Sequence, residues 1–329
     1  MQHHTLNRKH STGAALLSAM LTVTLVATFA AAALWQQWRS VEIEISERGR
    51  VQVAWLLIGS LDWSRLILRI DGRTVKLNEP PTDNLTEPWA TTLEESRLST
   101  FLAADKNNTG GLTAEEQVDA FLSGGMVDAQ SKLNVFNLIE NGQVSPIDLA
   151  AFAKLFTHFN LPNTELQSFV ANLKDTLSPQ GLPKSALKPQ RVRQLTWLGL
   201  KEETLAKITP YITLLPQRTT VNLNTAPAEV IFAIVPGLLL SDASLAVSTR
   251  DTSYFWDLPD AEAKAPALKS KLQTAQHSVT TQFFEVTGRI RLEQTVVEVK
   301  SLVDRRDVND VKTLWLEREV VAAPNTTPK

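Results

Sequence analysis

The sequence predicts an α+β fold carried on a long N-terminal helix, the first half of which is apolar enough to cross a bilayer. Three observations predict it. Residues Ala14 to Leu34 are uncharged and proline-free, and about 20 such residues suffice to span the hydrocarbon core as helix. A long middle block has apolar residues at helical spacing, punctuated by prolines 162, 179, 183, 189, 210, 216, 227 and 236. Near Ser278 the period returns to two, as in strands of an antiparallel sheet.

The N-terminal run sets the topology. Arg8 and Lys9 precede it with no acidic residue, and Trp35 and Trp38 follow it where an interfacial aromatic belt would sit. The positive-inside bias then places the N-terminus in the cytoplasm and everything after Trp38 outside. Three readings of the segment compete: a cleaved secretory signal, an uncleaved anchor, and a leader removed on the cytoplasmic side while the helix stays. Ala31 and Ala33 offer a small-residue site for the first, but a signal's apolar core is usually about 7–15 residues and this run is longer. Gly13, at the border between the basic leader and the apolar run, suits the third, with a cut between Gly13 and Ala14.

From Gln36 to about Ile70 there is no proline, and Val41, Ile45, Val51, Val53, Trp55, Leu56, Ile58 and Leu61 interleave with charge, which continues the helix in amphipathic form. The rod should stop near Asp71-Gly72, with Pro80, Pro81 and Pro88 marking an irregular connector. Met126 to Ile139 reads as a strand ending at Glu140-Asn141-Gly142. Helices are expected over Pro146 to Phe159, Thr164 to Leu177, Glu202 to Leu214 and Ala226 to Ile234, and strands over Phe283 to Leu292, Thr295 to Arg305 and Val311 to Val320. A helical block therefore interrupts a strand-rich domain.

Composition removes several kinds of chemistry. With 33 basic and 35 acidic residues the net charge is −2, so electrostatics nominate no polyanionic partner. The chain has no cysteine, which excludes disulfides, thiol nucleophiles and zinc-thiolate sites. Only His158 and His277 lie beyond the N-terminal segment, so a hydrolase triad or imidazole metal site would need one of them, and a satisfied structural histidine is the plainer expectation. No catalytic group, metal ligand set or cofactor is assigned.

Two motifs carry possible binding chemistry. Asp105 to Glu116, DKNNTGGLTAEE, fits an EF-hand loop, with Asp105, Asn107, Thr109, Gly111, Thr113 and Glu116 at the ligand positions. With one carboxylate among the early positions, the favoured reading is a surface loop followed by a capping box, Thr113 to Glu116, opening a helix over Ala114 to Leu122. Asn224 to Leu238 resembles a helix-hairpin-helix whose Pro236-Gly237-Leu238 turn could present backbone amides to phosphate, giving a membrane-anchored DNA receptor as the alternative function. Phosphate binding is driven by Lys and Arg, and none lies between Thr219 and Leu245, so a protein-packing module is the favoured reading and no nucleic acid is expected.

Three stretches together resemble the minor pseudopilin K (GspK) family of type II secretion. The leader and apolar helix match, including the absence of the Glu that pilins usually carry five residues after the cut, here Ser18. SGGMVDAQSKLNVFNLI at 123–139 resembles a family strand motif through Asp128, Ala129, Gln130, Asn134 and Asn137. VNLNTAPAEVIFAIVPGL at 221–238 resembles its Asn-x-Asn-Thr-Ala element through Asn222, Asn224, Thr225 and Ala226. The first residue after the cut is usually Phe or Met and here is Ala14. The family's acidic stretch is also missing, since residues 169–175 read FVANLKD, so its calcium site is not carried over.

The resemblance implies a removed leader (1–13), a transmembrane half-helix (14–34) and a periplasmic half-helix (35–70). It further implies a pilin-like domain in two parts (71–143 and 278–321), a large all-α domain inserted between them (144–277) and a disordered tail (322–329). It also implies an assembly subunit with no catalysis of its own, cut by prepilin peptidase and methylated at Ala14. Such a subunit sits at the tip of a periplasmic pseudopilus, anchored in the inner membrane and partnered by minor pseudopilins of the I and J type.

Overall fold

A computed structural model describes residues 12–74, 80–97, 120–178, 187–292 and 295–322. The chain divides into two compact units, residues 1–56 and 57–329. Helix α1 (Thr12–Arg73) is unbroken through 62 residues, as the absence of proline allows. Among the described residues it is the one helix long and apolar enough to cross a membrane.

In the second unit a five-stranded antiparallel sheet is built from β1 (Leu93–Arg97), β2 (Ala120–Asp128), β9 (Phe283–Leu292), β10 (Thr295–Asp304) and β11 (Lys312–Ala322), in the spatial order β1-β2-β9-β10-β11. Gly288, Phe284, Val286 and Ile290 of β9 share one face by the two-residue alternation of a strand. A Cβ on Gly288 would meet Ser60 Oγ at 3.2 Å and Leu57 Cδ2 at 4.0 Å, so α1 lies directly on this face and buries Leu57, Leu61 and Leu68. The first strand, β1, had no counterpart in the sequence reading.

Residues 129–278 fall in sequence between β2 and β9, which are nevertheless hydrogen-bonded neighbours. They comprise the two-residue strands β3 (Leu133–Asn134), β4 (Ile139–Glu140) and β5 (Gln143–Val144), then helices α2 (Pro146–His158), α3 (Asn163–Leu177) and α4 (Glu202–Ile208). Short strands β6 (Ile212–Thr213) and β7 (Val221–Asn222), helices α5 (Ala228–Ile234), α6 (Leu240–Thr252) and α7 (Leu258–Lys264), and strand β8 (His277–Ser278) follow. Their shared core includes Phe152, Leu155, Phe156, Phe169, Leu173 and Phe255, all essentially inaccessible. A smaller cluster of Ala129, Leu215, Phe283 and Leu302 forms on the sheet's other face.

Several expectations are corrected. Met126 to Ile139 is not one strand: β2 ends at Asp128, and turns of 3-10 helix follow at Ala129–Ser131 and Val135–Leu138. The Asp128 and Asn134 side chains accept from the backbone amides of Gln130 (2.7 Å) and Phe136 (3.1 Å), and so turn the chain locally in competition with a ladder. The helix expected over Glu202 to Leu214 stops at Ile208, because Pro210 leaves only a 3-10 turn before β6. Ala120 to Leu122, expected to end a capped helix, is strand, its backbone paired with β9 at Leu292 to Ile290. The EF-hand-like loop Asp105 to Glu116 and the tail 323–329 lie outside the described residues.

Candidate functional site

The polar residues of the two sequence motifs meet in one buried seam. Asn222, fully inaccessible on β7, donates from Nδ2 to Asp128 Oδ2 (2.8 Å) and to the Asp83 carbonyl (3.0 Å). The Thr225 hydroxyl donates to the same Asp128 oxygen at 2.6 Å. Asn134 and Asn137 act as backbone surrogates for the irregular segment 215–219 that precedes β7. Asn134 donates to the Gln217 carbonyl (2.8 Å) and accepts from Leu215 N (3.2 Å), while Asn137 both donates to Thr219 O (2.7 Å) and accepts from Thr219 N (3.2 Å). Gln130 completes the set, donating to Thr220 O (3.0 Å) and accepting from Gln282 N (2.8 Å). Buried amides placed like this satisfy backbone that no regular ladder reaches.

Beside this seam lies a cluster that sequence reasoning missed. Arg305, just past β10, donates to Asp71 Oδ2 of α1 at 2.7 Å, to Asp83 of the connector and to the Thr281 carbonyl (3.2 Å), and its guanidinium stacks over Phe284 at 4.6 Å. Asp71, Asp83 and Glu87 bring carboxylate oxygens within 4.8 Å of one another, a spacing that could serve a cation. Here the charge that meets Asp71 and Asp83 is the chain's own guanidinium. The seam and the cluster thus tie together the end of α1, the connector, the end of β2, β7 and the end of β10. Nothing local announces a partner more than two hundred residues away.

Burial raises the Glu87 carboxyl to about 7, opposed by its hydrogen bond from Trp89 and reinforced by Asp71 and Asp83. Burial likewise raises Asp128 to about 6, against the bonds from Thr225, Thr281 and Asn222. His277 moves the other way, burial lowering its pKa. A carboxyl whose folded pKa exceeds its unfolded value holds a proton that the unfolded chain has released, so each favours the fold at low pH and loses that contribution as pH rises from the unfolded carboxyl range to about 6 or 7. His277 opposes this below about pH 6.5, because the unfolded chain then binds the extra proton. Two carboxyls outweigh one histidine. Urea unfolding should therefore show stability falling as pH rises from about 5 to about 7, by about 1.4 kcal/mol per pH unit for each net proton, then levelling off. A flat or rising profile would rule out protonated Glu87 and Asp128.

The hairpin at Pro236-Gly237-Leu238 stands between α5 and α6, with Gly237 at φ 62°, a left-handed conformation that glycine adopts freely. No cation lies near it in sequence, yet the fold brings two. Lys154 of α2 donates to the carbonyls of Phe232 and Val235 (2.9 Å to the latter), and Lys271 donates to Gly237 O at 3.4 Å. Both ammonium groups are engaged with backbone carbonyls at the end of α5 and in the turn.

The histidines gather no catalytic partners among the described residues. His158 packs edge-on to Phe159, ring centroids 4.7 Å apart, and His277 Nδ1 faces the Gln273 backbone. Gly13 and Ala14 lie in the first turn of α1, and the Ser18 hydroxyl donates to the Ala15 carbonyl at 2.9 Å on the exposed helix surface.

A family profile described as type II secretion system protein K matches residues 221–280, beginning at β7 of the seam. Type II secretion system protein K of Pseudomonas aeruginosa is 24% identical over 325 residues, covering 92% of this chain and 88% of that protein. The chain is thus similar to type II secretion protein K over most of its length. Its fold is also that of a chain in the crystal structure of the GspK-GspI-GspJ complex from enterotoxigenic Escherichia coli, with a TM-score of 0.64 at 15% identity, over 83% of this chain and 98% of that one. Seen against protein K, the seam joins the Asp-Ala-Gln segment to the Asn-x-Asn-Thr-Ala element, two of the three stretches that carry the resemblance.

Proposed function

We propose that this chain is a minor pseudopilin of a type II secretion system, seated at the tip of the periplasmic pseudopilus, where it helps to initiate assembly and supports protein export across the outer membrane. The relationship to protein K over nearly the whole chain carries this reading. In it, prepilin peptidase cuts between Gly13 and Ala14, the Ala14 amine is methylated, and α1 stays in the inner membrane with the C-terminal unit in the periplasm. Ser18 stands where pilins carry Glu. A carboxylate inside the bilayer costs a few kcal/mol or more unless it is paired, and a subunit with none above it has no amine for it to meet.

Minor pseudopilins of the I and J type would pack along the outward side of α1, where Ile58, Trp63, Leu66 and Ile70 remain exposed while Leu57, Leu61 and Leu68 face the sheet. Residues 144–277 would form an inserted domain whose bulk obstructs addition of a further subunit above.

The test is the mass of the N-terminus after co-expression of the full chain with a prepilin peptidase. A methylated Ala14 start is expected, and an intact Met1 would leave a plain anchor. Tight, salt-sensitive DNA binding by the full chain would instead favour the hairpin as a phosphate site.

A further inference from the structure

The block between β2 and β9 contains a small cavity of about 10 Å³, bordered by Asn134 and Asn137, by Asp148 and Phe152 of α2, and by Thr219 and Gln276. Gln276 is 3% exposed. Its backbone is fully used, the amide donating to Gln273 O (3.0 Å) and the carbonyl accepting from Val221 N (2.8 Å). Its side-chain Oε1 and Nε2 are both buried and find no hydrogen-bond partner among the described residues. Each such group left unsatisfied costs about 1–3 kcal/mol, too much to be carried twice by one side chain without compensation.

The other polar groups around the cavity are mostly committed, and what remains is complementary to a water molecule. Asn134 and Asn137 spend their amides on residues 215–219 and on Phe136. Thr219 accepts from Asn134 (3.2 Å) and still has a hydroxyl proton to give. Asp148 receives Ser145 (2.6 Å) and Arg218 (2.8 Å) on one oxygen, and a carboxylate offers about four lone-pair sites. A buried water needs two to four polar partners and about one water-sized sphere of room, which this cavity provides. We infer that the cavity is an internal hydration site, in which one long-lived water joins the Gln276 amide to Thr219 and Asp148. The water would complete the polar seam on the side where the Asn134-to-Asn137 segment, α2 and the irregular segment leading to β7 converge.

The test is oxygen-17 magnetic relaxation dispersion of the full chain in detergent micelles, beside a Gln276→Leu variant that keeps the bulk and removes both polar atoms. One fewer long-lived water and a lower melting temperature are expected in the variant. Unchanged dispersion, or a higher melting temperature with unchanged dispersion, would overturn the inference, since a dry cavity gains from losing two unpaired groups. Should the variant not fold, selective nitrogen-15 glutamine labelling of the wild-type chain decides: cross-relaxation between the Gln276 side-chain amide and a bound water supports the site, and its absence rejects it.

Discussion

Replacing Arg305 with Met is expected to destabilise the second unit, residues 57–329, by about 3–5 kcal/mol at neutral pH, the cost of breaking a buried ion pair. Arg305 is 8% exposed, and its guanidinium neutralises Asp71 and Asp83 together, from a position that also satisfies the Thr281 carbonyl and covers the face of Phe284. Its removal takes the guanidinium from a place where three carboxyl groups lie within 4.8 Å of one another. Met fills the volume of the stem, so most of the loss is electrostatic rather than a cavity. Arg305→Lys restores one charge but not the fork that reaches both Asp71 and Asp83, and should recover only part of the loss. Urea unfolding checks the size. The loss should also shrink on acidification, as Glu87 takes up its proton. A cost below about 1 kcal/mol, the range of exposed ion pairs, would mean that the cluster is not closed to water.

Gly124→Ala should separate two strands. A Cβ there would stand 2.4 Å from the Thr287 carbonyl oxygen and 3.2 Å from the Gly288 Cα, both backbone atoms of β9, opposite Gly124 at the centre of the β2 pairing. A methyl group cannot rotate away and the neighbouring atoms belong to a ladder held on both sides. The expected cost is at or above the upper end of about 1–3 kcal/mol for overpacking. Gly125→Ala is the control. Its Cβ meets nothing closer than Thr92 Cγ2 at 3.5 Å, an ordinary contact, so its effect should stay within about 0.5 kcal/mol. Equal losses in the two variants would refute the close approach of β2 and β9 at Gly124.

Periodicity carried most of the elements into the sequence reading. Phe283 to Leu292 was read to the residue, and α2 and α3 to within one residue at each end, because long stretches of regular burial leave a repeat of two or of 3.6 in the chain. It failed where side chains replace ladders. Leu133, Val135 and Leu138 alternate well enough for a strand, yet Asp128 and Asn134 bend the backbone on either side of β3. β1 was missed because its burial is slight, with Glu94, Glu95 and Arg97 exposed.

The site divides in the same way. Asp128, Gln130, Asn134, Asn137, Asn222, Asn224 and Thr225 were all singled out from the sequence as motif residues, but nothing in the sequence showed that the first motif's amides bond the irregular segment leading into the second. The charge around the hairpin was misjudged by looking along the chain, since Lys154 and Lys271 arrive from remote segments.

What the sequence determined by itself is the long apolar N-terminal helix, the α+β class, the order of helical and strand-rich segments, and the likeness to protein K. These rest on local patterns of apolarity, proline and short motifs, which any contiguous stretch can display. Only the tertiary structure decided that Arg305 closes on Asp71 and Asp83, that Glu87 and Asp128 are pushed towards neutrality, and that Gln276 borders a polar cavity. Those outcomes depend on desolvation and on contacts between residues 94 to 234 apart in sequence, and a charge or an amide has no chemical meaning as buried or paired until the chain has folded around it.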